Sequence, residues 1–171
     1  MFWQYGRVDA RTTFYATMPS PVGELLLTGS ADGLTGVYLP GEGLRPEPDW
    51  ELDPARFSDC ITQLDEYFAG DRASFSLPLA APGTPFQRQV WNELLGIEYG
   101  TTISYTELAG RVGRPRAIRA VGGANGRNPI CIVVPCHRVI GVDGSLTGYS
   151  AGTDAKRWLL DFERGRQSER L

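Results

Sequence analysis

The 171-residue sequence predicts an α/β-type protein in two parts: a small N-terminal antiparallel sheet with a helix, then a mostly helical C-terminal domain with a helix-turn-helix. Three observations predict it. Short β-prone runs separated by turn residues fill positions 14 to 39. Apolar residues at helical spacing dominate from Thr84 onward. Pro82-Gly83 stands between the two patterns and divides the chain into residues 1–83 and 84–171.

Residues 1–13 are polar and irregular. Phe14 to Met18 reads as a strand, Ser20-Pro21-Val22-Gly23 as a turn and Glu24 to Thr28 as a second strand. Asp32-Gly33 turns into a third, Leu34 to Leu39. Pro40 to Pro54, rich in Gly, Pro and acid, reads as a loop without fixed structure. Phe57, Ile61, Leu64 and Phe68 share one helical face, Gly70 closes that helix, and Leu77 with Leu79 suggests another edge strand.

Thr84-Pro85-Phe86-Gln87 joins an N-cap, a proline at the first helical position and a glutamine three residues after the cap. Val90, Trp91, Leu94 and Leu95 continue its apolar face. Ser104-Tyr105-Thr106-Glu107 opens a second helix, Gly113 turns the chain, and a third helix runs from Ile118 towards Asn125. This is a helix-turn-helix candidate. Apart from Arg116 and Arg119, its second helix carries Ala117, Ala120, Gly122, Gly123 and Ala124. Such residues allow close approach to a groove but offer few groups to read base edges, which fits minor-groove binding. Tight packing with solvent-facing arginines is the competing reading. Thr153-Asp154 opens the last helix, with Trp158, Leu159 and Phe162 facing inward and a frayed tail from 165.

The composition, 42% hydrophobic and 22% charged, is that of a soluble globular protein. No apolar run is long enough for a membrane span and no cleavage-like leader stands at the N-terminus, so the expected location is the cytoplasm. The net charge of −3 hides an asymmetry. Residues 1–83 carry 5 arginines against 12 acids, whereas residues 84–171 carry 12 basic residues against 8 acids. Between 101 and 140 there are 6 arginines and one acid, Glu107. That half suits a polyanionic partner. Cysteines at 60, 131 and 136 have neither metal-ligand nor disulfide spacing, and with one histidine they argue against a zinc site. No metal or cofactor is expected.

The segment with chemical promise is Asn128 to Ile140. Ile132, Val133 and Val134 favour a buried strand or packed extended segment, and Pro135 restricts the backbone before Cys136. His137 and Arg138 follow, a setting that favours a thiolate nucleophile. A cysteine that merely packs is the plain alternative. Neighbours along an extended chain point apart, so His137 has to curl back or act through water. Asn128 can hold the turn with its side chain, Glu163 is a candidate partner for His137 or Arg138, and Tyr105 could meet a phosphate or cap an apolar edge. Tyr149 and Ser150 could line a flat pocket.

Thr84-Pro85-Phe86-Gln87-Arg88-Gln89-Val90-Trp91, Ile103-Ser104-Tyr105, Arg119-Ala120-Val121-Gly122-Gly123-Ala124-Asn125, Asn128-Pro129 and Pro135-Cys136-His137-Arg138-Val139-Ile140 together resemble the O6-alkylguanine-DNA alkyltransferase family. The likeness runs from Met18-Pro19-Ser20-Pro21-Val22-Gly23 to the last helix. It implies irreversible, single-turnover transfer of an alkyl group from O6-alkylguanine, and O4-alkylthymine, in DNA to Cys136. It further implies His137 as base through a water, Glu163 as its orienting partner, and Asn128 as holder of the turn. Tyr105 would bear on a phosphate and the lesion base, and Arg119 would fill the gap left by a flipped nucleotide. The DNA contact is assigned to Arg116, Arg119, Tyr105, Ala120 and Gly122, and the substrate pocket to Val139, Tyr149, Ser150 and Arg138. The implied partner is duplex DNA gripped through its minor groove by a monomer, with cooperation between copies left open. A cysteine hydrolase and a non-catalytic lesion-sensing module are the alternatives. Cys131 stands where some relatives have proline, and the histidine count excludes the zinc site that some carry.

Overall fold

The computed structural model describes residues 12–169, so the irregular end expected at 1–13 lies almost wholly outside the described residues. The chain divides into two compact units that meet between Pro82 and Gly83.

The first unit is built on strands β1 (Phe14–Met18), β2 (Leu25–Ser30) and β3 (Gly33–Tyr38), joined as antiparallel neighbours. Gly23, at φ 103°, closes the first turn by donating to the Ser20 carbonyl at 3.0 Å. β2 is central, and five of its six residues are buried, because both faces of the strand are covered. A short β4 (Glu51–Leu52) pairs parallel to β1, giving the order β3-β2-β1-β4. It lies in the stretch expected to be unstructured. Glu51 and Asp53 donate to the Thr13 and Tyr15 carbonyls at 2.9 and 3.0 Å, so backbone pairing rather than side-chain pattern fixes it.

A 3-10 turn, Pro54–Phe57, leads into α1 (Ser58–Ala69), which Gly70 ends in the left-handed conformation at φ 86°. The buried stripe is Phe57, Cys60, Leu64 and Tyr67. It lies beside the expected one, and Ile61 and Phe68 are only half-buried. The expected Leu77–Leu79 strand is reduced to one parallel bridge from Leu79 to Leu34. Pro78 has no N–H to extend the ladder, although its carbonyl accepts from Leu34 at 2.8 Å.

The second unit opens with α2 (Pro85–Leu94), whose Thr84 and Gln87 side chains cap each other's backbone N–H groups at 3.2 and 2.9 Å. Trp91 of α2 donates to the Ala124 carbonyl at 2.8 Å, which clamps α2 to α4 (Ile118–Gly126). Before α4 comes α3 (Tyr105–Arg111), capped by Ser104, and Gly113 at φ 74° turns the chain between them. Glu107 pairs with Arg111 at 2.7 Å. Two strands of two residues each, β5 (Ile103–Ser104) and β6 (Val139–Ile140), pair in parallel. They are too short to leave a periodic signature. The last helix, α5 (Thr153–Glu169), runs on past the point where fraying was expected. Among the described residues no helix is long and apolar enough to cross a membrane.

Candidate active site and DNA-facing helix

The segment before Cys136 is buried as expected but is not extended. Asn128 coils it: its side-chain amide donates to the Val134 carbonyl at 2.8 Å and the Ile130 carbonyl at 3.4 Å, while its oxygen accepts from Ile130 N at 3.0 Å. Val133 N donates to the Cys131 carbonyl at 2.8 Å around Ile132, whose φ is 71°. This is a γ-turn of the rare positive-φ hand, and Ile132 is the one non-glycine residue with positive φ among the described residues. A second γ-turn, of the common hand, sits on Pro135 (φ −82°, ψ 63°) and is closed by Cys136 N donating to the Val134 carbonyl at 2.8 Å. The β-preference of the isoleucine and valines is overridden by one asparagine side chain, at a strain cost of about 1–3 kcal/mol.

These turns deliver Cys136, His137 and Arg138 onto a single 3-10 turn, all buried. His137 and Arg138 both curl towards Glu163 of α5. His137 Nε2 lies 2.8 Å from Glu163 Oε1, and Arg138 donates from Nε to Oε2 at 2.9 Å and from Nη2 to Oε1 at 3.0 Å. Gly100 N adds a donor to Oε2 at 3.1 Å. Burial alone would raise the Glu163 pKa, but His137 and Arg138 hold it well below the ordinary carboxylate range. The carboxylate therefore takes the Nε2 proton as hydrogen-bond acceptor. Burial, outweighing the pull of Glu163, lowers the His137 pKa. His137 is thus a neutral imidazole whose Nδ1 carries the lone pair, and that atom is buried with no hydrogen-bond partner among the described residues. Arg138, expected at the substrate pocket, is turned towards α5 and the chain at Ile97. Its guanidinium is spent on Glu163 and on the Ile97 carbonyl, to which Nη1 donates at 2.6 Å.

A second cluster surrounds Tyr105. Its hydroxyl donates to the Thr147 carbonyl at 2.8 Å, and Lys156 Nζ lies 3.5 Å from the same hydroxyl. Lys156 also donates to the carbonyls of Val139 at 2.6 Å and Thr147 at 3.1 Å. Burial lowers its pKa from 10.5 to about 8, against an opposing pull from Cys136. Burial and then Cys136 raise the Tyr105 pKa. The nucleophile, the phenol and the amine therefore share one electrostatic neighbourhood. Val139 and Tyr149 are buried here, whereas Ser150 is exposed.

Lys156 is the residue of this cluster that sequence reading missed. Lys156, Leu159, Leu160 and Glu163 form the buried stripe of α5, so both ends of an apolar i, i+3, i+4, i+7 pattern are charged. That was the available signal. Trp158 and Phe162, expected to face inward, are half-buried and stack on each other with centroids 5.1 Å apart.

On α4 the exposed residues are Ile118, Arg119 and Ala120, with Arg116 exposed just before the helix. The helix starts without a side-chain cap and without an acid in its first turn. Gly122 faces the other way, where a Cβ would lie 3.6 Å from the Tyr105 ring. That is ordinary van der Waals contact, so the helix face at Gly122 lies against Tyr105.

A buried cysteine beside a His–Glu–Arg cluster, carried by the unit that also holds a basic helix-turn-helix, fits a DNA-directed protein whose thiol is the acceptor of a transferred group. Residues 85–165 match the family described as 6-O-methylguanine DNA methyltransferase, DNA binding domain, and residues 13–81 match 6-O-methylguanine DNA methyltransferase, ribonuclease-like domain. The methylated-DNA–protein-cysteine methyltransferase of Mycobacterium tuberculosis is 48% identical over 153 residues, which are 89% of this chain and 93% of that protein. The constitutive enzyme of that name from Bacillus subtilis is 44% identical, covering 88% of this chain and 95% of that protein. The crystal structure of Mycobacterium tuberculosis OGT in complex with DNA superposes with a TM-score of 0.84 at 48% identity, over 90% of this chain and 94% of that one. The chain belongs to the methylated-DNA–protein-cysteine methyltransferase family.

Proposed function

We propose that this protein repairs DNA by direct reversal, moving the alkyl group of O6-alkylguanine, and of O4-alkylthymine, irreversibly onto Cys136. The observation that carries the reading is the turn that presents Cys136 together with a neutral His137 whose other nitrogen is held by Glu163 at 2.8 Å. His137 Nδ1 takes the thiol proton, directly or through a water, and Glu163 steadies the imidazolium that results. The thiolate attacks the alkyl carbon in line. The S–C bond forms, the C–O6 bond breaks, and the electron pair leaves with the guanine. In this reading Tyr105 gives up its bond to the Thr147 carbonyl to return a proton to the departing ring, and the Lys156 charge favours the thiolate beforehand. The product thioether has no labile leaving group, so each molecule acts once.

DNA binding follows from the exposed edge of α4. Small residues there permit entry into the minor groove, Arg119 enters the stack in place of the extruded nucleotide, and Arg116 meets the backbone. Residues 84–171 carry both tasks in this reading, and a monomer suffices for it. The thiol has to stay reduced, which suits the cytoplasm. A cysteine hydrolase is disfavoured because the Cys136 N–H, the first candidate for an oxyanion hole, is already given to the Val134 carbonyl at 2.8 Å.

The test is intact mass after mixing the protein with an equimolar duplex containing O6-methylguanine, followed by peptide mapping. One methyl group on the peptide bearing Cys136, guanine restored in the DNA and no second turnover are expected. Lesion binding without mass change would leave a non-catalytic sensor as the better reading.

A further inference from the structure

Ile118 is the first residue of α4 and keeps 38% of its surface exposed. An exposed apolar side chain by itself means little, but this one stands beside Arg119 on the helix edge that faces DNA in the reading above. It lies three and seven residues before the buried Val121 and Asn125, so it heads the packed stripe of α4. A residue that only packs would head the stripe in the same way. Its surroundings favour a contact instead. The chain carries no acid from Leu108 to Val142, and Arg114, Arg116 and Arg119 are all exposed. The other exposed apolar residue of α4 is Ala120, so Ile118 supplies the bulk of that edge.

That bulk is also fixed in place. The larger part of the side chain is covered, and a β-branched residue in a helix has essentially one rotamer. Ile118 therefore cannot fold aside as a long arginine can. The walls of a minor groove are lined with deoxyribose C–H groups, which an apolar side chain can cover. The spacing of those walls varies with sequence: A-tracts are stiff and narrow, whereas pyrimidine–purine steps deform easily. Narrow grooves also concentrate negative potential and draw arginine, so Arg116 and Arg119 pull towards the sequences that a rigid wedge resists.

We propose that Ile118 is a specificity-determining residue that makes binding depend on minor-groove width, its fixed apolar bulk packing on the sugars of a groove that is wide or easily widened and resisting entry into an A-tract. The inference rests on the minor-groove reading proposed above. Through Ile118 the helix selects among lesion sites by DNA shape, without a hydrogen bond to any base edge.

The experiment measures Kd for two duplexes of equal length, each holding one O6-methylguanine, flanked in one by A-tracts and in the other by TA and CA steps. Wild type, Ile118→Ala and Arg116→Ala are compared over a series of salt concentrations. The ratio of the A-tract Kd to the flexible-step Kd is expected to fall about fivefold in Ile118→Ala. Its salt slope should stay at the wild-type value, because no charge is lost, whereas Arg116→Ala should lower the slope by about one. An unchanged ratio in Ile118→Ala would overturn the proposal and leave Ile118 as a packing residue. A changed salt slope in Ile118→Ala would overturn it too, since the arginines would then have moved. Should Ile118→Ala show no cooperative melt, Ile118→Val, which trims one methyl group, must shift the ratio in the same direction at constant slope. Wild-type protein that binds neither duplex would fail the functional reading instead, before any variant is compared.

Discussion

Cys60 and Cys136 are buried almost equally, at 4% and 3% exposure, and neither is in a disulfide. Their surroundings differ completely. Cys60 sits in the first turn of α1 on its packed face, and burial alone pushes its pKa up to about 12. Cys136 opens a 3-10 turn, beside an imidazole and within the electrostatic reach of Lys156 and Tyr105. The difference teaches that burial by itself silences a thiol. What makes one usable is a charged neighbour, a base and a backbone that fixes where sulfur points.

The comparison breaks most visibly on acceptor loss. Cys136→Ala should abolish methyl uptake, whereas Cys60→Ala should retain the wild-type stoichiometry by intact mass. Next in size is the buried ion cluster. Glu163→Gln should cost about 3–5 kcal/mol in urea unfolding, because Arg138 is then left as an unpaired buried charge. The same variant should also slow transfer, since His137 loses the partner that fixes its tautomer.

A smaller effect sharpens the part played by the backbone. Ile130 and Ile132 are both fully buried, but only Ile132 has positive φ. Ile130→Gly and Ile132→Gly delete the same side chain. The second should be less destabilising by about 1–2 kcal/mol, because glycine relieves the left-handed strain. Equal losses would show that the turn stores none. The comparison also extends to pH. Lys156 titrates near 8 when folded and near 10.5 when unfolded. Between those values the unfolded chain binds more protons, so stability rises with pH. The melting temperature of the wild type should therefore gain on that of Lys156→Met between pH 8 and 10, and a constant offset would refute the assignment.

The elements with periodic or capping signals were legible in the sequence: β1 to β3, α1, and the Thr84–Gln87 and Ser104 starts of α2 and α3. Legibility failed where side chains or backbone groups act over a distance. Val133 and Ile132 have strong β-preferences, but Asn128 coils them through bonds that reach six residues along the chain to Val134. β4 and β5 are two residues long and exist through pairing partners far away in sequence. In the site, the residue types around Cys136 were readable because motif and chemistry coincide there. Glu163 was legible as a partner for His137 or Arg138, but the sharing of its one carboxylate between both was not, since nothing local says how two neighbouring side chains share an acceptor on a helix 25 residues on. Lys156 escaped because a charged residue is ordinarily assigned to the solvent face.

Lys156 is the one lysine in the chain, and it is fully buried. Its ε-amine is thus a built-in gauge of opening. A reagent that acylates lysine should leave the native fold untouched at that position and mark it only when α5 comes away. The rate of that labelling would count excursions that expose the acceptor site, before and after the thiol has been used.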